Sequence, residues 1–318
     1  MTEFSLQTPV PETDRHERLK DAVGMVNKIV MGKEQQVKLA FSCLLARGHL
    51  LIEDLPGVGK TTLAHALAAV IGVSYQRIQF TSDLLPADIL GVSIYRRDKE
   101  EFEFHPGPIF AQLVLADEIN RATPKSQSAL LEAMAEGQVT IEGETHVLPK
   151  PFFVIATQNP LDLGGTFPLP DSQLDRFLLS ISLGFPEPEI ERELLISRDR
   201  ILVLGDTQAV ISPDDVLQLS QDCEKVHVSP ALLDYVQALL AQTRNSRWFE
   251  TGLSPRAGIG MLHCARAYAF LEGRDYAIPE DVKAIFPSLA RHRMNVPHGM
   301  ETSVKEQIHD LLNQVAIP

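Results

Sequence analysis

The chain has 318 residues, 44 % of them hydrophobic and 22 % charged, which excludes disordered and fibrous classes and leaves room for two domains with substantial cores. Its 42 acidic against 29 basic residues give a formal net charge of −13, a field that disfavours non-specific binding to nucleic acid or anionic membranes. Cys43, Cys223 and Cys264 and the ten histidines show no metal-ligand or redox spacing and no run approaches the ~18 apolar residues of a membrane span, so a cytoplasmic protein without bound zinc or direct membrane insertion is expected.

Residues 1–20 mix Pro, Thr and charges and are expected to form a flexible tail. Helical patterns run from about Arg18 to Val30 and from Glu34 to Ala46, punctuated by Gly32 and Gly48. The apolar run His49 to Ile52 predicts a buried strand, Lys60 to Ile71 an amphipathic helix closed by Gly72, and Ser74 to Phe80 a second strand. Further buried strands are predicted at Leu113–Ala116, Phe152–Ala156 and Leu179–Leu183, with helical material between the first two and before the third. One of those helices is signposted by Thr123, Pro124 and Gly137. Strands alternating with helices imply an α/β fold with a mostly parallel sheet covered on both faces. Two hairpins interrupt it: Val92–Tyr95 with Phe102–Phe104, and Val139–Ile141 with His146–Leu148 around Glu142-Gly143-Glu144.

The prolines of Gly184-Phe185-Pro186-Glu187-Pro188 mark a hinge. Beyond it the chain reads as helices over Glu189–Asp199, Asp214–Val226, Pro230–Thr243, Pro255–Glu272, Pro279–Ala290 and Glu301–Gln314, several begun by Ser-Pro pairs. The expected division is a tail over 1–20, a core over 21–187 and an all-helical domain over 188–318.

Three segments carry chemistry. The loop from Glu53 to Thr62 lies between a buried strand and an amphipathic helix, where the segment Pro56-Gly57-Val58-Gly59-Lys60-Thr61-Thr62, through its backbone N–H groups from Gly57 onward, and the helix N-terminus can surround phosphates. Lys60 adds a mobile charge and Thr61 a hydroxyl for Mg²⁺. The strict pattern has Gly where Asp54 stands, and Asp tolerates unusual backbone angles better than most residues. The strand Leu113–Ala116 delivers Asp117 and Glu118 to the end of the sheet where ligands bind. Asp117 suits the Mg²⁺ shell and Glu118 the polarisation of an attacking water. Asn159 ends another strand and is the best candidate for a neutral amide orienting that water, while Arg176 and Arg256 are cations available to an anion. A nucleotide-gated scaffold without turnover would not need Glu118.

These segments resemble the MoxR family of AAA+ ATPases. The likeness spans about Val23 to Ala290 and is carried by Leu55-Pro56-Gly57-Val58-Gly59-Lys60-Thr61, the run from Phe80 to Gly91, Gly107-Pro108-Ile109-Phe110, Ala116-Asp117-Glu118-Ile119-Asn120-Arg121-Ala122, Ala156-Thr157-Gln158-Asn159-Pro160, Leu174-Asp175-Arg176-Phe177 and Ser254-Pro255-Arg256-Ala257. It implies an AAA+ core with a five-stranded parallel sheet sandwiched by helices, one hairpin inserted within the second helix, another before the sensor strand, and an all-helical lid. It further implies ATP and Mg²⁺ as cofactors, a ring of six subunits with ATP at their interfaces, and Asn159, Arg176 and Arg256 as first sensor, finger and second sensor. The activity implied is chaperone-like remodelling of protein clients, with von Willebrand factor A-type domain proteins among the partners. Ring helicases, nucleic-acid motors, share inserted hairpins; against them, the tip between Thr140 and Leu148 carries Glu142 and Glu144 and no Lys or Arg.

Overall fold

In a computed structural model, which describes residues 12–161, 164–196, 204–246, 248–295 and 303–317, helix α1 spans Glu12–Ile29 and α2 Glu34–Leu45. The start of α1 corrects the expected tail: residues 12–20 are helical, and only 1–11 lie outside the described residues. Leu19, Ala22, Val26 and Ile29 recur at helical spacing and are buried, and the turn before Leu19 is anchored by His16, whose ring packs edge-on against Phe270 at 4.9 Å. Arg15 also pairs with Asp222, and Arg18 with Asp215 and the Val210 carbonyl.

The remaining core elements are β1 (Leu50–Glu53), α3 (Lys60–Ile71), β2 (Tyr75–Gln79), α4 (Pro86–Leu90), β3 (Gly91–Arg96), β4 (Glu101–Pro106), β5 (Leu113–Asp117), α5 (Pro124–Glu136), β6 (Gln138–Ile141), β7 (Glu144–Val147), β8 (Phe153–Gln158), α6 (Asp171–Leu174) and β9 (Leu179–Ile181). Five of the strands form one sheet in the order β2-β5-β8-β1-β9, and every pairing in it is parallel. The central strands are buried on both faces: Leu50, Ile52, Leu113, Leu115, Phe153 and Ile155 join one apolar cluster, and Leu51, Val114, Ala116, Val154 and Ala156 join the other. In register, Glu53 sits beside Gln158 and Gln79 beside Asp117, so the strands end together along one rim.

His49, just before β1, is buried beneath this sheet. Its Nε2–H donates to the Met134 carbonyl at 3.2 Å and its Nδ1 accepts the Val154 N–H at 3.1 Å. Burial pushes its pKa down from 6.5 to about 4, with the nearby Arg256 adding to the effect against the Met134 hydrogen bond. His292, also buried, is pushed well below 6.5 in the same way. A histidine whose folded pKa is depressed contributes stability above its unfolded pKa and loses it as pH falls toward the folded value. The unfolding free energy is therefore expected to drop between pH 6.5 and 4, by up to about 3 kcal/mol from His49. Urea titrations that give a level profile across this range would contradict that assignment.

The hairpin β3–β4 leaves the core between α4 and a 3₁₀ turn at Pro108–Phe110. Its base is pinched where Gly91 and Gly107 lie back to back: a Cβ on Gly91 would come 2.3 Å from the His105 carbonyl, and one on Gly107 2.3 Å from that of Ile89, so both positions exclude a side chain. The second hairpin, β6–β7, turns on two residues, Glu142 and Gly143, both with positive φ, the type I′ geometry that suits strand twist. Glu144, expected in the turn, already belongs to β7. His146 stacks on Phe104 at 4.1 Å and joins the two hairpins.

The helical part comprises α7 (Pro188–Ile196), α8 (Pro213–Glu224), α9 (Pro230–Asn245), α10 (Pro255–Leu271), α11 (Pro279–Ala290) and α12 (Val304–Gln314). The expected ends at Asp199 and Glu301 lie outside the described residues. Ser212, Ser229 and Ser254 each accept the N–H three residues on, so the Ser-Pro pairs are true N-caps. Helix α10 packs on α2, and α11 packs on β9; one apolar cluster therefore runs from α1 through the sheet into the lid. The stretch predicted as a hinge is held rather than loose. Gln36 bonds the Ser182 carbonyl, Lys33 bonds that of Phe185, and the Ser182 hydroxyl and Gly184 N–H both reach Asp54. Among the described residues no helix is long and apolar enough to cross a membrane. The three cysteines are buried and unpaired.

Candidate nucleotide site

The loop between β1 and α3 turns through two glycines that need positive φ, Gly57 at 81° and Gly59 at 99°, conformations costly for any residue with a Cβ. Neither would meet a neighbour with an added Cβ, so the cradle is open toward solvent. Gly59 is the N-cap of α3 and carries no side-chain cap, which leaves the first-turn N–H groups free of a side-chain acceptor and the positive end of the helix facing outward. Lys60 folds back, its Nζ donating to the Asp54 carbonyl at 2.7 Å. Its pKa is pulled below the ordinary value by burial, which prevails over the nearby Asp117, Asp54 and Glu118 carboxylates.

Asp54 is not in the left-handed region that would excuse a missing glycine. Its side chain does the work instead: Oδ1 accepts the Leu55 N–H at 2.8 Å, and Oδ2 accepts the Ser182 hydroxyl at 2.9 Å and the Gly184 N–H at 2.7 Å. Burial alone would raise its pKa, but the bonds from Gly184, Leu55 and Ser182 together hold the carboxyl below its ordinary value.

Across the cleft, β5 ends in Asp117 and Glu118. Thr157 on β8 donates to Asp117 Oδ1 at 2.6 Å, and its Oγ accepts the Glu118 N–H at 2.9 Å. One hydroxyl thus fixes the Asp117 carboxylate and the Glu118 backbone. Arg77 on β2 donates through Nε at 3.1 Å and Nη2 at 2.5 Å to Asp117 Oδ2. Gln79 donates to Glu118 Oε2 at 2.9 Å, with Arg121 Nε 3.1 Å from the same oxygen. Glu118 itself stands at φ 57°, ψ 48°, a left-handed conformation that costs a non-glycine residue about 1 kcal/mol or more.

Pro56, Gly57, Gly59, Lys60, Thr61, Thr62, Asp117, Glu118 and Asn159 line one cleft of about 380 Å³, with Arg77 as a tenth contributor. Val58 turns its side chain against the core. Asn159 Oδ1 accepts the Leu161 N–H at 3.2 Å. Two predicted residues lie elsewhere. Arg176, between α6 and β9, donates Nη1 to the Leu131 carbonyl, and Arg256, in the first turn of α10, is exposed; neither lines this cleft in its own subunit. Arg77, Gln79 and Thr157 were not singled out from sequence. Arg77 carries the one available signal, a charged side chain within a predicted strand.

An open, glycine-turned helix N-terminus with a lysine, facing two carboxylates, is built to take a phosphate chain and a divalent cation. Comparison with known proteins decides the family. A model of the ATPase family associated with various cellular activities (AAA) matches residues 49–179, and an AAA lid model matches 241–313. The chain is 41 % identical to Chaperone MoxR1 of Mycobacterium tuberculosis over 94 % of its length and 82 % of that protein's. This chain belongs to the MoxR family of AAA+ ATPases. It is also 42 % identical to the uncharacterized protein YeaC of Bacillus subtilis, over 96 % of this chain and 97 % of the relative. A crystal structure from Cytophaga hutchinsonii, of a protein proposed to be an ATPase, superposes with a TM-score of 0.86 at 35 % identity and covers 96 % of both chains. The MoxR-family fold, five parallel strands with a helical lid, is thus the one found here.

Proposed function

We propose that this chain binds ATP with Mg²⁺ in the cleft between α3 and β5, hydrolyses it, and uses the energy to remodel protein partners as a ring of subunits. The observation that carries the reading is the meeting, in one cleft, of the uncapped N-terminus of α3 with Lys60 on one side and Asp117, Glu118 and Asn159 on the other. Gly57, Gly59, Lys60, Thr61 and Thr62 would hold the β- and γ-phosphates, and Thr61 and Asp117 would hold the Mg²⁺, whose charge neutralises phosphate oxygens in this chemistry. Within the chain, Thr157 and Arg77 keep Asp117 fixed at the rim, and Gln79 and Arg121 hold the Glu118 carboxylate where it can orient and polarise a water. Asn159, an amide on the same rim, suits the first-sensor part. Arg176 lies away from its own cleft, which fits a finger serving a neighbouring subunit, and Arg256 at a helix start fits a second sensor. Six subunits and partners with von Willebrand factor A-type domains are the assembly and clients this family resemblance favours. A nucleic-acid motor is not favoured, because the β6–β7 strands and turn carry Glu142 and Glu144 without Lys or Arg.

Lys60→Ala tests the reading. Loss of a charge-assisted contact to phosphate is expected to weaken binding of a non-hydrolysable ATP analogue by about 2–3 kcal/mol, on the order of 10²-fold. Calorimetry on the variant, with circular dichroism to establish folding, gives the answer; an unchanged dissociation constant would remove the loop from nucleotide binding.

A further inference from the structure

The turn that follows α11 sends three consecutive side chains from the lid into the core. Arg291 Nε lies 3.6 Å from Glu53 Oε2, at the end of β1. His292 donates through Nε2 to the Phe177 carbonyl at 2.9 Å. Arg293 goes deepest: its side chain is 6 % exposed, and its guanidinium makes five hydrogen bonds. Nε reaches Asp175 Oδ1 at 2.7 Å, Nη1 the carbonyls of Leu178 at 3.0 Å and Leu289 at 2.6 Å, and Nη2 the carbonyls of Asp175 at 3.2 Å and Phe177 at 2.5 Å.

Removing a guanidinium from water is costly, and this one is repaid by a carboxylate and four carbonyls in the planar fork geometry that only arginine offers. Three of those carbonyls, with the carboxylate, belong to Asp175, Phe177 and Leu178. They flank Arg176 on both sides. The Asp175 carbonyl lies in the peptide plane that precedes residue 176, and the Phe177 and Leu178 carbonyls lie in the two planes beyond the one that follows it, whose Phe177 N–H is held by the Leu174 carbonyl at 3.0 Å. Arg293 thus clamps the backbone on both sides of residue 176, and with it the direction in which that side chain leaves the chain. Two other groups of that segment are tied as well: the Leu178 N–H to the His49 carbonyl at 2.8 Å, and the Arg176 side chain to the Leu131 carbonyl.

We infer that Arg293 is the positioning residue for Arg176, so that the seating of the lid on the core sets the aim of the arginine offered to the neighbouring subunit. This rests on the reading of Arg176 as a finger acting across the interface. A lysine at 293 keeps the charge but has no fork, and it can hold at most part of the set of carbonyls. Arg293→Lys is expected to bind an ATP analogue within threefold of the parent and to hydrolyse ATP at least tenfold more slowly. Should that variant not fold, Asp175→Asn loosens the same pair from the exposed side of the core and takes its place.

A merely structural role would damage the variant's own site, and mixing separates the two. Arg293→Lys subunits retain an intact Glu118, while Glu118→Gln subunits retain a correctly aimed Arg176; rings containing both, with co-assembly verified by pull-down of differently tagged chains, are assayed beside rings of Arg176→Ala with Glu118→Gln. Recovery of hydrolysis in both mixtures supports the inference. Recovery with Arg176→Ala but not with Arg293→Lys overturns it and leaves the finger reading standing. Recovery in neither removes the finger reading and the inference with it, and Arg293→Lys turning over ATP at the parent rate overturns the inference alone.

Discussion

Arg176→Ala is expected to bind ATP as the parent does and to hydrolyse it ~10³–10⁵-fold more slowly, the range by which finger arginines stabilise charge on a transferring phosphoryl group. The expectation follows from position. Arg176 leaves the chain between α6 and β9, touches the Leu131 carbonyl and does not line its own cleft, so under the proposed finger role its effect on turnover would be exerted on another copy. Two measurements bear on this. Activity per subunit of the parent should rise with protein concentration as assembly proceeds, and a mixture of Arg176→Ala with Glu118→Gln should regain part of the activity that each lacks. A parent whose specific activity is independent of concentration would remove the finger role.

Glu118→Gln is expected to retain nucleotide and lose turnover by about 10²–10⁴-fold, as when a group that orients and deprotonates a nucleophile is neutralised. The substitution is close to isosteric, and Gln79 can still donate to the amide oxygen, so the change isolates charge from shape. The left-handed backbone at residue 118 penalises glutamine and glutamate alike, and stability should therefore stay within about 0.5 kcal/mol. Single-turnover hydrolysis alongside analogue binding is the measurement. A rate within threefold of the parent would place the base elsewhere.

Much of this site could be read from the chain because its parts are local. A buried strand, a glycine turn and a helix follow one another within Leu50–Ile71, and the strand that bears Asp117 and Glu118 announces itself by four apolar residues in a row. The lid was legible for the same reason, each Ser-Pro start being a few residues of capping chemistry. What escaped was long-range. Arg77, Gln79 and Thr157 reach the two acids only because β2, β5 and β8 are neighbours in the sheet, and strand order has no signature in a single sequence. Arg293 meets Asp175 from 118 residues away. The start of α1 is not legible because residues 12–18 carry no apolar periodicity; they are anchored by partners about 200 residues away, Arg15 by Asp222 and Arg18 by Asp215, both on α8. Asp54 was explained by backbone tolerance, a local argument, when its reason is a pair of bonds to Ser182 and Gly184 about 130 residues downstream.

That carboxylate has a mechanical consequence. One rigid, planar group is gripped on one oxygen by the loop's own Leu55 and on the other by the first residues leading toward the lid. There is almost no slack in such a joint: hydrogen bonds of 2.7–2.9 Å weaken steeply when stretched or bent. A loop that shifts to close around a ligand must therefore pull the strand exit with it or break the grip, and a glycine at 54 would have let the two move independently. The departure from the strict pattern makes the cradle part of a linkage, through which a shift of the loop would be passed to the root of the helical domain.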